Sequence, residues 1–179
     1  MPKASQAEVN NFKDKLPILL PPEKTEEAKE TRRKLFSGWD PNGNRKLSLA
    51  EVDLGLRQMQ LHKVFRKPVI IRAFNAAKGV SKTKGSSDDY IDRNEFRLLC
   101  SYLLRYFELY NMFDEIDESD DDRINYEEFE GALGLLKQWG MDIKNPRKVF
   151  DEIDANGGGF ILFDEFSDWA LKKKLSMEK

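Results

Sequence analysis

An all-α protein of four helix–loop–helix units, arranged as two pairs, is the fold class this sequence predicts. Three observations carry that expectation. Four 12-residue segments, starting at residues 40, 84, 117 and 154, share a polar loop pattern that ends in glutamate. Apolar residues at helical spacing flank each of them. The composition, 40% apolar and 35% charged over 179 residues, suits a globular helical chain better than a disordered one.

Composition also excludes several classes. The net charge is only −2, so no global field favours nucleic acid. One cysteine, Cys100, precludes an internal disulfide, and its apolar surroundings suit a small buried hydrophobe. One histidine and one cysteine cannot assemble a zinc site of the usual kind. No run approaches the ~18 apolar residues of a membrane span, and no secretory signal is visible.

The loops are best explained by Ca²⁺. This hard cation takes six to eight oxygen ligands, which a 12-residue loop supplies from positions 1, 3, 5, 7, 9 and 12, with Gly at position 6. In chain order, residues 1–24 read as an N-terminal extension. Residues 25–105 form a first pair of units and 106–179 a second. Thr25 is placed to cap a helix that carries Leu35, Phe36 and Trp39 into loop one. Loop one, DPNGNRKLSLAE, sets Asp40, Asn42, Asn44, Lys46 (through its carbonyl), Ser48 and Glu51 at the ligand positions. Arg45 takes position 6, where a left-handed backbone costs about 1–2 kcal/mol. Arg45 and Lys46 also bring positive charge to a cation site, so weak binding or none is expected. Loop two, KGSSDDYIDRNE, begins with Lys84 where a carboxylate should stand. Its expected task is to pair with loop one, Ile91 against Leu47, without metal. The excess spacing between these two loops falls in the polar stretch Lys78 to Ser87.

From Glu95 to Ile116 the chain is apolar on most sides, as in a buried helix or two closely joined ones. Loop three, DESDDDRINYEE, follows with Asp117, Ser119, Asp121, the Arg123 carbonyl, Asn125 and Glu128. It offers the most side-chain oxygens and ranks as the strongest site, although Asp122 replaces the glycine of position 6. Between Phe129 and Ile153, Gly131, Gly134 and Gly140 interrupt the helical pattern, and Pro146 opens the next helix. Leu133, Leu135, Leu136, Trp139 and Met141 are either core or the lining of a target groove. Trp169 carries the same two alternatives. Loop four, DANGGGFILFDE, supplies Asp154, Asn156, the Phe160 carbonyl and Glu165. Gly158 leaves position 5 to a water, at some loss of affinity. Ile124 and Ile161 should pair loop three with loop four. Two good matches and two degraded ones in series identify the chain as a member of the EF-hand superfamily.

The wording between the ligands is more specific. PPEKTEEAKETRRKLF, KGSSDDYIDRNEFRLLCSYLLRYFELYNMFDEID and FDEIDANGGGFILFDEF resemble the trypanosomatid flagellar calcium-binding proteins, the calflagins. The resemblance covers most of the chain from about Pro21. It implies calcium in loops three and four, and a calcium sensor associated with the flagellar membrane. In that family a myristoylated Gly and a nearby palmitoylated Cys hold the membrane. This sequence starts MPKASQ, so Pro2 stands in place of the Gly and no cysteine is near. Acylation is therefore not expected. Membrane association would rest on basic stretches such as Arg32 to Lys34 and Lys172 to Lys174, which otherwise read as solvated helix faces.

The expected function is a calcium sensor whose second pair of loops alters contact with an unknown protein target or a membrane. A cytoplasmic place, at the flagellum by resemblance, goes with it. A calcium buffer and a calcium-independent scaffold are the alternatives. An enzyme is not expected, since nothing remains to build an active site from once the carboxylates are assigned to metal. Affinity should lie on the weak side of the ~10⁻⁷–10⁻⁵ M sensor range, given Gly158 and Asp122.

Overall fold

The computed structural model describes residues 7, 11, 13–78 and 89–176. Lys84, most of the stretch Lys78 to Ser87, and Pro2 lie outside them. The chain divides into two compact units, Met1–Phe107 and Glu108–Lys179.

In the first unit, α1 (Leu16–Leu19) precedes α2 (Glu26–Trp39). Leu16, Leu20 and Pro21 are buried, so packing begins ahead of Thr25. The Thr25 hydroxyl accepts the Ala28 N–H at 3.2 Å and starts α2. After loop one come β1 (Lys46–Leu47), α3 (Leu49–Gln58), a 3₁₀ turn (Leu61–Lys63) and α4 (Lys67–Ala77). Then β2 (Ile91–Asp92) leads into α5 (Arg93–Ile116). β1 and β2 are antiparallel with Leu47 opposite Ile91, both fully buried. That register follows from position 8 of each loop being the apolar one. The core centres on Phe96, which meets Phe36 edge-on at 5.5 Å and Trp39 at 5.4 Å. Full burial of a Phe side chain is worth about 1.5–3 kcal/mol, so these rings dominate the packing. Cys100 is buried as expected, and burial pushes its thiol up to about 12.

α5 runs unbroken for 24 residues, and few of its positions are exposed. Its last turns belong to the second unit. There α6 (Tyr126–Gly131), α7 (Leu133–Gln138), α8 (Pro146–Ile153) and α9 (Phe163–Lys172) complete the helices. Pro146 occupies the first turn of α8, where its missing N–H is not needed. Phe113 packs against Phe163 at 5.7 Å and Phe166 at 5.8 Å, and Phe129 meets Phe150 at 5.8 Å. Trp139 and Trp169 are 4% and 6% exposed, which places both in the core. Leu133, Leu135 and Met141 are half-buried, while Leu136 is fully buried. Ile124 and Ile161 form an antiparallel bridge, each donating to the other's carbonyl at 2.9 and 2.8 Å.

Candidate metal centre

Loops one, three and four share one scaffold. The aspartate at position 1 receives two backbone N–H groups, one on each carboxylate oxygen. Asp40 takes those of Asn44 (3.2 Å) and Arg45 (2.9 Å). Asp117 takes those of Asp121 (3.3 Å) and Asp122 (2.9 Å). Asp154 takes those of Gly158 (3.1 Å) and Gly159 (2.8 Å). All three aspartates are at most 9% exposed, so these charge-assisted bonds form in a sheltered place.

The bends that permit this lie at two positions of each loop. Position 6 has positive φ at Arg45 (63°), Asp122 (64°) and Gly159 (87°). Loop one thus adopts the left-handed backbone despite its arginine. Position 4 also has positive φ, at Gly43 (68°), Asp120 (61°) and Gly157 (67°). Sequence reasoning attended to position 6 alone. The glycines of loops one and four at position 4 were the available signal, since glycine carries no Cβ penalty there.

Position 9 acts as a helix cap. Asn125 Oδ1 accepts the Glu128 N–H at 2.8 Å, and the Ser48 hydroxyl accepts that of Glu51 at 3.2 Å. A metal contact from this position would run through water, as it often does in such loops. The glutamate of position 12 returns the bond. Oε1 accepts the position-9 N–H from Ser48 (3.0 Å), Asn125 (3.0 Å) and Leu162 (3.1 Å). The same reciprocal box joins Asp92 and Glu95 in loop two, at 3.0 and 2.9 Å.

The second oxygen of that glutamate separates the loops. Glu128 Oε2 accepts the Ser119 N–H at 2.9 Å, and Glu165 Oε2 accepts the Asn156 N–H at 3.2 Å. Each closes its loop from position 12 back to position 3. Among the described residues, the hydrogen bonds of Glu51 reach only Ser48. In loop three, oxygens of Asp117, Asp121 and Glu128 also converge within 4.8 Å of one another. Three carboxylates at that separation repel unless a cation lies among them. Burial raises the carboxyl of Asp117 above its ordinary range, against the pull of the Asp122 and Asp121 N–H groups. The oxygen-only donor set, its spacing and the bends fit Ca²⁺. Asp117, Ser119, Asp121 and Glu128 would supply side-chain oxygens in loop three. Asp154, Asn156 and Glu165 would do so in loop four.

The side chains of position 7 meet across each pair of loops. Arg123 stacks over the Phe160 ring at 4.2 Å, and Lys46 lies over the Tyr90 ring at 4.5 Å. The Lys46 charge is thus directed at an aromatic face. Arg123 also donates to Asp121 at 3.0 Å, and its guanidinium holds that carboxyl below the usual range. The sequence reading gave Arg123 and Phe160 roles through their carbonyls only, and set the Lys46 charge against the cation site.

The FCaBP EF-hand domain family matches residues 16–103, and the EF-hand domain pair family matches residues 106–171. The chain is 38% identical over 169 residues to the flagellar calcium-binding protein TB-24 of Trypanosoma brucei brucei. That alignment covers 92% of this chain and 78% of TB-24. It is 37% identical over 169 residues to TB-17 of the same organism, covering 92% and 72%. The flagellar calcium-binding protein of Trypanosoma cruzi is 38% identical over 165 residues, covering 89% and 78%.

Proposed function

The chain belongs to the EF-hand family of flagellar calcium-binding proteins, a family that is not enzymatic. From that premise we propose that it is a calcium sensor whose C-terminal unit responds to the ion. Loops three and four are the sites in this reading, and loops one and two keep their form without metal. The names of the relatives support a place at the flagellum. Among the described residues no helix is long and apolar enough to cross a membrane.

The observation that carries the reading is the closed glutamate. Glu128 and Glu165 each tie position 12 to position 3, while Glu51 stays within its own cap. A carboxylate already drawn over the loop is ready for bidentate contact with little further ordering. The N-terminal pair has the β pairing and capping boxes that the C-terminal pair also has, and these contain no requirement for metal. Sensing requires more than binding. Apart from the half-buried Tyr126 and Phe160, the aromatic side chains of the C-terminal unit are buried, so a response must reorient its helices and expose part of that core to a partner.

Calorimetric calcium titration of the chelator-treated full chain tests the sites. Two are expected, at ~10⁻⁷–10⁻⁵ M. Glu128→Gln should remove one and Glu165→Gln the other. Two sites surviving the double substitution would refute the assignment. A hydrophobic dye added during the same titration tests the response. Rising dye fluorescence marks a sensor, and binding without it marks a buffer.

A further inference from the structure

The first unit holds a cavity of about 360 Å³ that lies away from every calcium ligand. Helices α2 and α5 wall it. Its lining includes five cationic side chains, Lys29, Arg32, Arg33, Arg93 and Arg97, and no acidic one. Two of the five have carboxylate partners outside the lining. Lys29 pairs with Glu26 at 3.3 Å and Arg33 with Glu30. The other three meet no carboxylate among the described residues. Arg32 is only 7% exposed and donates to the carbonyls of Pro21 and Glu23, at 2.6 and 2.7 Å, through one nitrogen. Arg97 donates to the Pro22 carbonyl at 3.4 Å. Arg93 lies over the Phe36 ring at 5.4 Å.

Three guanidinium groups that meet no carboxylate among the described residues line one hollow and repel one another. Arg32 is buried, Arg97 half-buried and Arg93 exposed at the mouth, so an anion entering from solvent would meet all three and relieve their mutual repulsion. The aromatic floor of Phe36 and Phe96 lowers the local dielectric and strengthens whatever pairing forms. Guanidinium forks match phosphate oxygens two at a time. The volume falls within the ~300–1,000 Å³ range of small-molecule sites, larger than a lone inorganic ion needs. We propose that this cavity binds an organic phosphate bearing several negative charges, with Arg93 and Arg97 as its principal contacts. Such a group occurs on soluble sugar and inositol phosphates and on the headgroups of phosphorylated lipids. The site does not depend on the calcium reading.

The test uses the full chain and two probes. Inositol trisphosphate is titrated calorimetrically, and phosphatidylcholine vesicles with and without phosphatidylinositol bisphosphate are sedimented with the protein. Arg93→Gln and Arg97→Gln should each weaken binding about tenfold, the scale of one charge-assisted contact. Lys148→Gln, which removes the same charge from the exposed face of α8, should leave binding unchanged. Arg93 is exposed, so its replacement leaves the core intact, and an unaltered circular dichroism spectrum verifies this. Binding of the soluble probe assigns the site to a free phosphate ester. Binding of the doped vesicles alone, lost in both arginine variants, assigns it to a lipid headgroup. Binding of neither probe overturns the proposal. An equal loss in Lys148→Gln also overturns it, since general surface charge would then explain the attraction.

Discussion

Gly158 differs in kind from the glycines on either side of it. Gly157 and Gly159 stand at positive φ, where any side chain is strained. Gly158 does not, and it occupies position 5, where loop three has Asp121. A Cβ at Gly158 would meet Asn156 Oδ1 at 3.0 Å, a contact that an exposed asparagine can relieve by moving a few tenths of an ångström. Gly158→Asp should therefore be accommodated, and it adds a carboxylate where loop four has none. We expect it to tighten calcium binding at loop four about tenfold, as one added charge-assisted contact does. Titration in the Glu128→Gln background isolates that loop, and unchanged affinity would mean that position 5 does not face the ion. At this scale the shared loop frame is legible in the sequence, from the aspartate of position 1 to the glutamate of position 12, because each loop is local and its spacing repeats. The stacking of Arg123 on Phe160 and of Lys46 on Tyr90 is not. Each joins residues of two different loops, and nothing in either loop alone calls for the other.

Helices α2 and α3 approach through a single small residue. A Cβ on Gly55 would lie 2.4 Å from the Trp39 ring, far inside contact distance. Two effects oppose each other in Gly55→Ala. Alanine in a helix interior is favoured over glycine by about 0.8–1 kcal/mol. Forcing a methyl group into a packed ring costs about 1–3 kcal/mol. Trp39 is also held edge-on by Phe96 and cannot turn aside freely, so overpacking should win. Thermal unfolding of Gly55→Ala should show a net loss of up to about 2 kcal/mol. A rise in stability would show that the tryptophan repacks. Element boundaries were readable where capping chemistry marks them, as at Thr25 and Pro146, whereas the cap at Ser48 was read only as a ligand position. The pairing of Leu47 with Ile91 and of Ile124 with Ile161 was readable because position 8 is apolar in every loop. The basic cavity was not. Arg32 and Arg33 read as one charged run, and Arg93 and Arg97 lie some sixty residues further on. Only the packing of α2 beside α5 sets them around one hollow.

The three tryptophans divide between the two units, and that permits each to be followed separately. Trp39 lies in the first unit, Trp139 and Trp169 in the second, and all three are at most 6% exposed. Trp39→Phe leaves only reporters of the C-terminal unit. Replacing Trp139 and Trp169 by Phe leaves only a reporter of the N-terminal one. If calcium binds loops three and four alone, free ion at one hundred times Kd stabilises the second unit by about 2.7 kcal/mol per site. A domain of 60–100 residues gains roughly 4–8 °C per kcal/mol, so that unit's fluorescence transition should rise by at least ~10 °C. The Trp39 transition should stay where chelator leaves it. Because α5 contributes to both units, a second outcome is informative. A parallel rise in the Trp39 signal would mean either that loop one also binds or that α5 couples the two transitions. Glu51→Gln separates these: it abolishes the rise in the first case and leaves it intact in the second.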